Sequence, residues 1–357
     1  MKRIMNKISM SILMLALASC STNYRMVTRI SEDGKMHREV YAQADSAFMA
    51  GNRSNNPFLF QLDNEWTVQT LDSCIKVDFF GKKENLNVKV ARTVDALGNI
   101  SFFSPKEKWM LPLAVPQERL EKHFRWFYTY YTYTCDFPEI KDKGPIPMDK
   151  YLSKHEQAFL FQGDMSACQG MNGMELKEEL EDVEGKFMAW LYHTQFELSY
   201  HVVEHFLQKN GDTTYLPRVR DEKGEIFETD KKRREDWECS PEYVCGLLDK
   251  HYDTTDFSAL YKANEKEMQQ SYDEACITME LFGYQIKFEL AMPGKLLSAN
   301  TVLKENDRLL WKVDAYRLLG EKYVLEAESR TMNVWAFVVT GFLIVLAGYG
   351  FMRKNRP

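Results

Sequence analysis

Residues 284–295 read YQIKFELAMPGK, an alternating run followed by a turn. The apolar side chains of this run are Tyr284, Ile286, Phe288, Leu290 and Met292. Successive side chains of a β-strand point to opposite faces, so this period of two predicts a strand with one buried face. The Pro-Gly pair supplies a turn. Two further strands are predicted at residues 309–313 and 323–327, so that residues 284–330 form the last strands before the C-terminal segment.

A second strand pair is predicted near the start of the chain. Residues 24–30 and 36–43 both alternate, and they flank an Asp33-Gly34 turn, which favours a β-hairpin. A lone hairpin is only marginally stable in water. We therefore expect residues 24–43 and 284–327 to share one antiparallel sheet, although they are distant in the sequence.

Residues 20–145 are predicted to be mainly β. Strand-like segments recur at 66–70, 75–80, 86–94 and 100–103. Residues 124–134 carry aromatic and threonine side chains at both odd and even positions. This pattern predicts one buried strand that is covered on both faces. The alternative is an aromatic platform that stacks a carbohydrate or a base.

Residues 146–283 are predicted to be mainly helical. Ser153 with Glu156, and Asn172 with Glu175, form capping boxes that predict two helix starts, the second helix continuing to about residue 208. A third long helix is predicted over residues 256–282. The polar residues 213–238 predict an exposed excursion between helices. The fold class that follows is α+β, with a sheet built from both ends of the chain and a helical middle.

Residues 1–19 read as a bacterial lipoprotein signal peptide. Three positive charges precede an apolar stretch that is too short to span a bilayer, and small residues lead to Cys20. The sequence Leu17-Ala18-Ser19-Cys20 resembles a lipobox. Cys20 is therefore expected to become the mature N-terminus and to be acylated, with palmitate among its lipids. The alternative is an ordinary cleaved signal followed by a chance cysteine.

Residues 334–352 are nineteen consecutive residues without a charge. A spanning helix needs roughly 20 apolar residues to cross about 30 Å of hydrocarbon, so this run predicts a transmembrane helix. Trp335 and Tyr349 are placed as interfacial anchors. The tail, residues 353–357, is predicted to be cytoplasmic because it contains Arg353, Lys354 and Arg356. The alternative is a buried core helix.

The two anchors together predict a location. An exported N-terminus and a retained C-terminus place the chain in the inner membrane of a bacterium, with its bulk in the periplasm. Lipid on Cys20 and the C-terminal helix would then hold both ends on one bilayer as a closed arch. Sorting of the lipidated end to the outer membrane is the alternative.

The net charge of −6 argues against nucleic acid as a partner, because phosphate binding depends on Lys and Arg. Six cysteines follow Cys20, and an exported chain can form disulfides. Cys239 and Cys245, which bracket Ser240-Pro241, are the best candidate pair. Two separate buried thiols are the alternative.

The two ends of the chain together resemble bacterial lipoproteins of the LppM-like type. The residues that carry the resemblance are Cys20, Asp33-Gly34, Leu290 to Lys295, Asn300, Trp311 and Ala327 to Ser329. The resemblance leaves residues from roughly 45 to 250 without a counterpart. It implies that the first hairpin and the last strands share a sheet with a helix packed on it. It also implies contact with lipid or glycolipid, and it transfers no catalytic residue.

One stretch matches the sequence pattern of a catalytic motif. His201, Glu204 and His205 form an H-x-x-E-H string that could bind zinc with the glutamate as a base. However, His193 and Glu197 continue the same spacing of four, so the residues are typical of the polar stripe of an amphipathic helix. A regulatory metal or pH-sensing role is a further alternative. No Gly-rich phosphate loop and no G-x-S-x-G motif occurs.

The function predicted from the sequence is that of a non-enzymatic binding or scaffold module of the cell envelope. Its expected partners are membrane lipid and an envelope protein, and no cofactor is expected. The alternative is a zinc-dependent hydrolase that uses His201, Glu204 and His205.

Overall fold

The computed structural model describes residues 22–233 and 239–354. The predicted signal peptide and Cys20 therefore lie outside the described residues. The chain divides into two compact units. The sheet unit contains residues 22–139, 284–315 and those from 322 onward, and the helical unit contains residues 140–283 and 316–321.

The sheet unit is built from twelve strands among the described residues. They are β1 (Thr22–Ile30), β2 (Lys35–Ala42), β3 (Thr67–Phe79), β4 (Lys82–Asp95), β5 (Gly98–Ile100), β6 (Gln117–Phe124), β7 (Tyr128–Phe137), β8 (Tyr284–Ala291), β9 (Lys295–Ala299), β10 (Lys304–Glu305), β11 (Arg308–Asp314) and β12 (Tyr323–Met332). Seven of them form one sheet in the order β10-β11-β8-β1-β2-β4-β3, and five form a second sheet in the order β5-β6-β7-β12-β9.

The predicted hairpin is confirmed: β1 and β2 pair antiparallel, with Ile30 opposite Met36. Strand β8, predicted from its alternation, pairs with β1 in a parallel register that sets Met26 opposite Phe288. A parallel pair needs a long crossover connection. Residues 31–283 supply that connection, and they include β2 and the whole helical middle of the chain.

Eight α-helices are described, three of them a single turn long. They are α1 (Ser46–Met49), α2 (Leu111–Ala114), α3 (Lys154–Gln157), α4 (Gly173–Lys209), α5 (Leu216–Arg233), α6 (Pro241–Tyr252), α7 (Asp256–Ala275) and α8 (Val334–Lys354). Helix α4 begins at the predicted capping box, where Asn172 accepts from the backbone of Glu175 and Glu175 accepts from the backbone of Asn172. Helices α4 to α7 share one apolar core that includes Phe196, Val244 and Phe257.

Two features of the helical middle correct the prediction. Residues 213–238 were expected to be an exposed excursion, but α5 occupies most of this stretch and buries Val219, Ile226 and Phe227. Helix α5 is polar overall, and its apolar stripe is only a few residues wide. Composition alone therefore did not indicate a helix with a buried face. The third long helix ends at Ala275, and residues 277–283 continue as a 3₁₀ helix.

Two features of the sheet unit also differ from prediction. The expectation of one shared antiparallel sheet holds for β1, β2, β8 and β11, except that β1 and β8 pair in parallel. It is wrong for β9 and β12, which pair with each other in the second sheet, where β12 also pairs with β7. Residues 124–134 do not form one buried strand, because β6 ends at Phe124 and β7 begins at Tyr128. The aromatic side chains on both parities belong to two antiparallel strands and the turn that joins them.

Candidate membrane-docking site

Helix α8 is the one helix among the described residues that is long and apolar enough to span a membrane. Its 21 residues extend over about 31 Å at 1.5 Å per residue, which matches a hydrocarbon thickness of about 30 Å. Only 6% of its apolar window is buried. A core helix of a globular protein would be mostly buried, so this exposure contradicts the buried-core alternative.

A single residue, Asn333, joins β12 to α8. Its backbone N–H donates to the carbonyl of Phe127 over 2.9 Å. Its side-chain amide donates to the carbonyls of Arg125 at 2.7 Å and Trp126 at 3.2 Å, and its carbonyl oxygen accepts from the Thr129 hydroxyl at 2.9 Å. Asn333 therefore fixes the start of α8 to the turn between β6 and β7.

The same turn, residues 125–127, also contacts α8 farther along the helix. The Trp126 indole N–H donates to the Thr340 hydroxyl over 2.8 Å. The ring of Phe127 lies 4.6 Å from that of Phe337, measured between centroids. We call residues 125–127 the hairpin tip. The hairpin tip lies alongside the first two turns of a helix that could span a membrane.

Aromatic rings surround this junction. The Trp335 ring stacks on Phe124 at 6.2 Å and meets Trp126 edge-on at 5.2 Å. The exposed fractions are 59% for Phe124, 45% for Trp126 and 51% for Trp335. Adjacent exposed apolar side chains of this size mark a protein–protein or membrane contact. Trp and Tyr are enriched where a protein crosses the membrane–water interface.

Three cations lie at or beside the hairpin tip: Arg125 belongs to it, whereas Arg330 and Lys295 lie on β12 and β9 of the five-stranded sheet. The Arg125 guanidinium lies 5.3 Å from the centre of the Tyr130 ring, and that of Arg330 lies 4.3 Å from the centre of Tyr128. Lys295 is the cross-strand partner of Arg330. Over the described part of the chain, none of the three cations has a carboxylate within ion-pair distance.

The anchors predicted from the sequence fall on this helix. Trp335 lies in its first turn and contacts the hairpin tip, whereas Tyr349 is 62% exposed near its other end. Arg353 is exposed in the last turn. The side chain of Lys354 and all of Arg356 lie outside the described residues, as does Cys20.

The H-x-x-E-H string lies on α4, on the polar side that the sequence indicated. His201 and His205 are exposed, and the carboxylate of Glu204 lies 3.9 Å from Arg220. Within residues 22–233 and 239–354, no group of three His, Cys, Asp or Glu side chains is arranged to hold a metal ion. The alternative of a zinc hydrolase therefore gains no support from the described geometry.

The stripe continues toward the buried side of α4 through His193 and Glu197. His193 accepts or donates a hydrogen bond at 2.8 Å with the Tyr151 hydroxyl, and its ring stacks on Phe227 at 4.0 Å. Burial by itself raises the pKa of Glu197, but hydrogen bonds from His193 and Lys223 outweigh it and lower the pKa to about 2. These contacts pack α4 against α5, which is a structural role.

The six cysteines of the described residues are separate thiols. Cys239 and Cys245 are both buried and form no disulfide with each other, which corrects the candidate pair. Ser240 caps α6 directly after Cys239, whereas Cys245 lies in the second turn of that helix. Burial raises the pKa of Cys245 to about 12 and that of Cys276 to about 11. A thiol with a raised pKa is a poor nucleophile, because the thiolate is the reactive form.

The residues that the sequence reasoning missed are those of the hairpin tip, together with Asn333 and Thr340. A signal for the tip was present in the sequence. Trp126, Phe127 and Tyr128 are three consecutive aromatic residues, and they break the period of two that a single strand requires.

No protein family and no curated protein matches this chain. Among solved structures, the NMR structure of the LppM folded domain from Mycobacterium tuberculosis is similar to it over 88% of this chain and 91% of that domain. The identity is 9% and the TM-score is 0.24. The LppM-like resemblance of the sequence is thus matched by a weak structural likeness, which carries no argument about function.

Proposed function

We propose that this protein is a membrane-anchored lipoprotein of the bacterial cell envelope that acts by binding, as a scaffold, and not by catalysis. Its bulk lies in the periplasm, Cys20 is acylated, and α8 spans the inner membrane with residues 353–357 in the cytoplasm. Its partners are membrane lipid and an envelope protein.

One observation carries the proposal: Asn333 and the hairpin tip bind the sheet unit directly to α8. A flexible linker would leave the attached unit free to reorient. Here β12 ends at Met332 and α8 begins at Val334, so that one residue separates the sheet from the helix. The sheet unit is therefore held in one orientation over the bilayer, as a scaffold that presents a binding surface requires.

The cysteines provide a direct test of the topology. Cys74 is exposed on β3, whereas four other described cysteines are buried. A membrane-impermeant maleimide should label Cys74 in intact spheroplasts. An Asn355→Cys tail in a Cys74→Ser background should be labelled only after lysis, with Cys74→Ser alone as the baseline. A tail that is labelled in intact spheroplasts would refute the topology.

Two further measurements complete the test. Incorporation of labelled palmitate should be lost in Cys20→Ala and retained in Cys74→Ser. Membrane fractionation should place the wild-type chain with the inner membrane. A chain that sediments with the outer membrane would show that the lipid anchor, and not α8, decides where the protein resides.

A further inference from the structure

We propose that the side chains of Trp126 and Phe127 make the hairpin tip a second membrane-inserted element. Arg125 at the edge of the tip, with Arg330 and Lys295 beside it, binds the phosphate of an anionic phospholipid. This inference rests on the proposed membrane anchoring and deepens it. It assigns part of the sheet unit, and not only α8, to the bilayer.

The depth follows from the contact between Trp126 and Thr340. Thr340 is six residues beyond Val334, which places it about 9 Å along the helix axis at 1.5 Å per residue. The indole N–H of Trp126 reaches its hydroxyl at 2.8 Å. If the hydrocarbon begins at Val334, the indole of Trp126 lies inside the outer part of the hydrocarbon layer.

The backbone carbonyls of the tip are paired within the protein, as that environment requires. Backbone polar groups in hydrocarbon must be paired within the protein, because no water is available to them. Arg125 and Tyr128 exchange backbone hydrogen bonds of 2.8 and 3.1 Å. The carbonyls of Arg125, Trp126 and Phe127 all accept from Asn333. Asn333 thus donates to all three carbonyls of the turn. In water these carbonyls could bond to solvent and would need no donor from the protein.

The three cations lie where lipid phosphates would be. Arg330 precedes Val334 by four residues on β12, which places it above the start of the apolar helix, at headgroup level. Arg125 directly precedes Trp126 at the edge of the tip. Stacking on Tyr130 and Tyr128 orients the two guanidiniums. An oriented guanidinium binds phosphate through two parallel hydrogen bonds, which a lone ammonium cannot do.

The charge balance of the described residues leaves these cations without an internal counter-ion. The chain has a net charge of −6, and about half of its described basic side chains have a carboxylate partner, as Arg119 has in Glu121 at 2.7 Å. Arg125, Arg330 and Lys295 have none in the described structure. Juxtamembrane cations are attracted to anionic headgroups, and an anionic lipid supplies the missing partner.

Depth-dependent quenching tests the insertion. Cysteines are introduced singly into the full chain in a Cys74→Ser background, labelled with an environment-sensitive fluorophore and reconstituted into nanodiscs that contain lipids with nitroxides on their acyl chains. Phe124→Cys reports on the tip and Phe342→Cys on α8. Lys322→Cys is the control, because residue 322 directly precedes β12 and is about 30 Å of strand from the helix.

The expected result is strong quenching at positions 124 and 342 and none at 322. Quenching at 342 without quenching at 124 would overturn the insertion of the tip and leave the proposed anchoring intact. Absence of quenching at 342 would instead refute the proposed function, because α8 would then lie outside the bilayer.

Lipid selectivity tests the headgroup site. The Phe124→Cys probe is compared in phosphatidylcholine nanodiscs that contain a trace of nitroxide-labelled phosphatidylglycerol or of nitroxide-labelled phosphatidylcholine. The wild-type cations should enrich the anionic lipid locally, each by about fivefold. Replacing Arg125, Arg330 and Lys295 together with Gln should bring the quenching ratio close to one, and Arg119→Gln should leave it unchanged. Equal quenching by both lipids with the wild-type cations would overturn the site.

Discussion

Arg38 on β2 and Glu118 on β6 form a bidentate ion pair that joins the two sheets, with 2.5 Å between Nη1 and Oε1 and 2.7 Å between Nη2 and Oε2. The side chains are 0% and 1% exposed. The guanidinium also lies 4.5 Å from the centre of the Phe102 ring and donates to Thr28. The Tyr133 hydroxyl donates to Glu118 at 2.5 Å. The carboxylate of Glu118 keeps the pKa of Arg38 above its ordinary value despite burial.

Removing one partner of this pair should destabilise the sheet unit strongly. Arg38→Met leaves the Glu118 carboxylate buried without its cation, and breaking such a pair costs about 3–5 kcal/mol. Arg38→Met with Glu118→Leu removes both charges and should recover part of that loss. Urea unfolding of the three proteins gives the free energies. A double variant as unstable as Arg38→Met would contradict this interpretation.

Asn333→Ala should loosen the hairpin tip without unfolding the sheets. The substitution removes the side-chain donor to the carbonyls of Arg125 and Trp126 and the acceptor for Thr129. In proteoliposomes, cleavage by trypsin after Arg125 should become much faster than in the wild type. Asn300→Ala, which removes side-chain bonds elsewhere in the sheet unit, is the matched control. Equal cleavage in both variants would argue against a specific lock at the tip.

His201→Ala with His205→Ala should change the unfolding free energy by no more than about 0.5 kcal/mol, because exposed polar substitutions usually cost that little. His193→Ala should cost more, because its ring stacks on Phe227. Metal analysis of the purified wild type provides the second readout. Stoichiometric zinc that disappears in the double variant would revive the hydrolase alternative.

Acid should weaken the sheet unit through Glu39. Burial by itself raises the pKa of this carboxyl, but hydrogen bonds from Arg29 and Lys89 outweigh it and lower the pKa to about 2. The carboxylate therefore contributes its full stability above its ordinary pKa of 4.5 and loses it as the pH falls toward 2. Urea midpoints measured across this range should fall less steeply for Glu39→Gln than for the wild type. Parallel curves would show that Glu39 contributes no linked stability.

A chain shortened to end at Phe282 should fail to form the seven-stranded sheet. The truncation removes β8, which pairs with β1 on one side and β11 on the other, and leaves the hydrogen-bonding edge of β1 unpaired. Near-UV dichroism and urea unfolding should show no cooperative sheet unit. A chain ending at Met332 lacks α8 but keeps all twelve strands, and should unfold cooperatively. A cooperative transition in the shorter chain would refute the central role of β8.

The sequence was sufficient for elements whose signals are local. Alternation over 284–291 predicted β8, the Asp33-Gly34 turn predicted the hairpin, and Asn172 with Glu175 predicted the start of α4. Each signal depends on neighbours within a few residues, where strand period, turn conformation and capping act directly. The apolar run at 334–352 predicted α8 for the same reason.

Pairing between distant segments was decided only by the tertiary structure. Nothing local distinguishes β12 as a partner of β7 from β12 as a partner of β1, because alternation marks a buried face and not the strand beside it. The same holds for Arg38 and Glu118, which are 80 residues apart. Trp126 and Thr340 are 214 residues apart. The anchor could therefore be predicted from the sequence, whereas the hairpin tip that docks beside it depends on a contact that only folding creates.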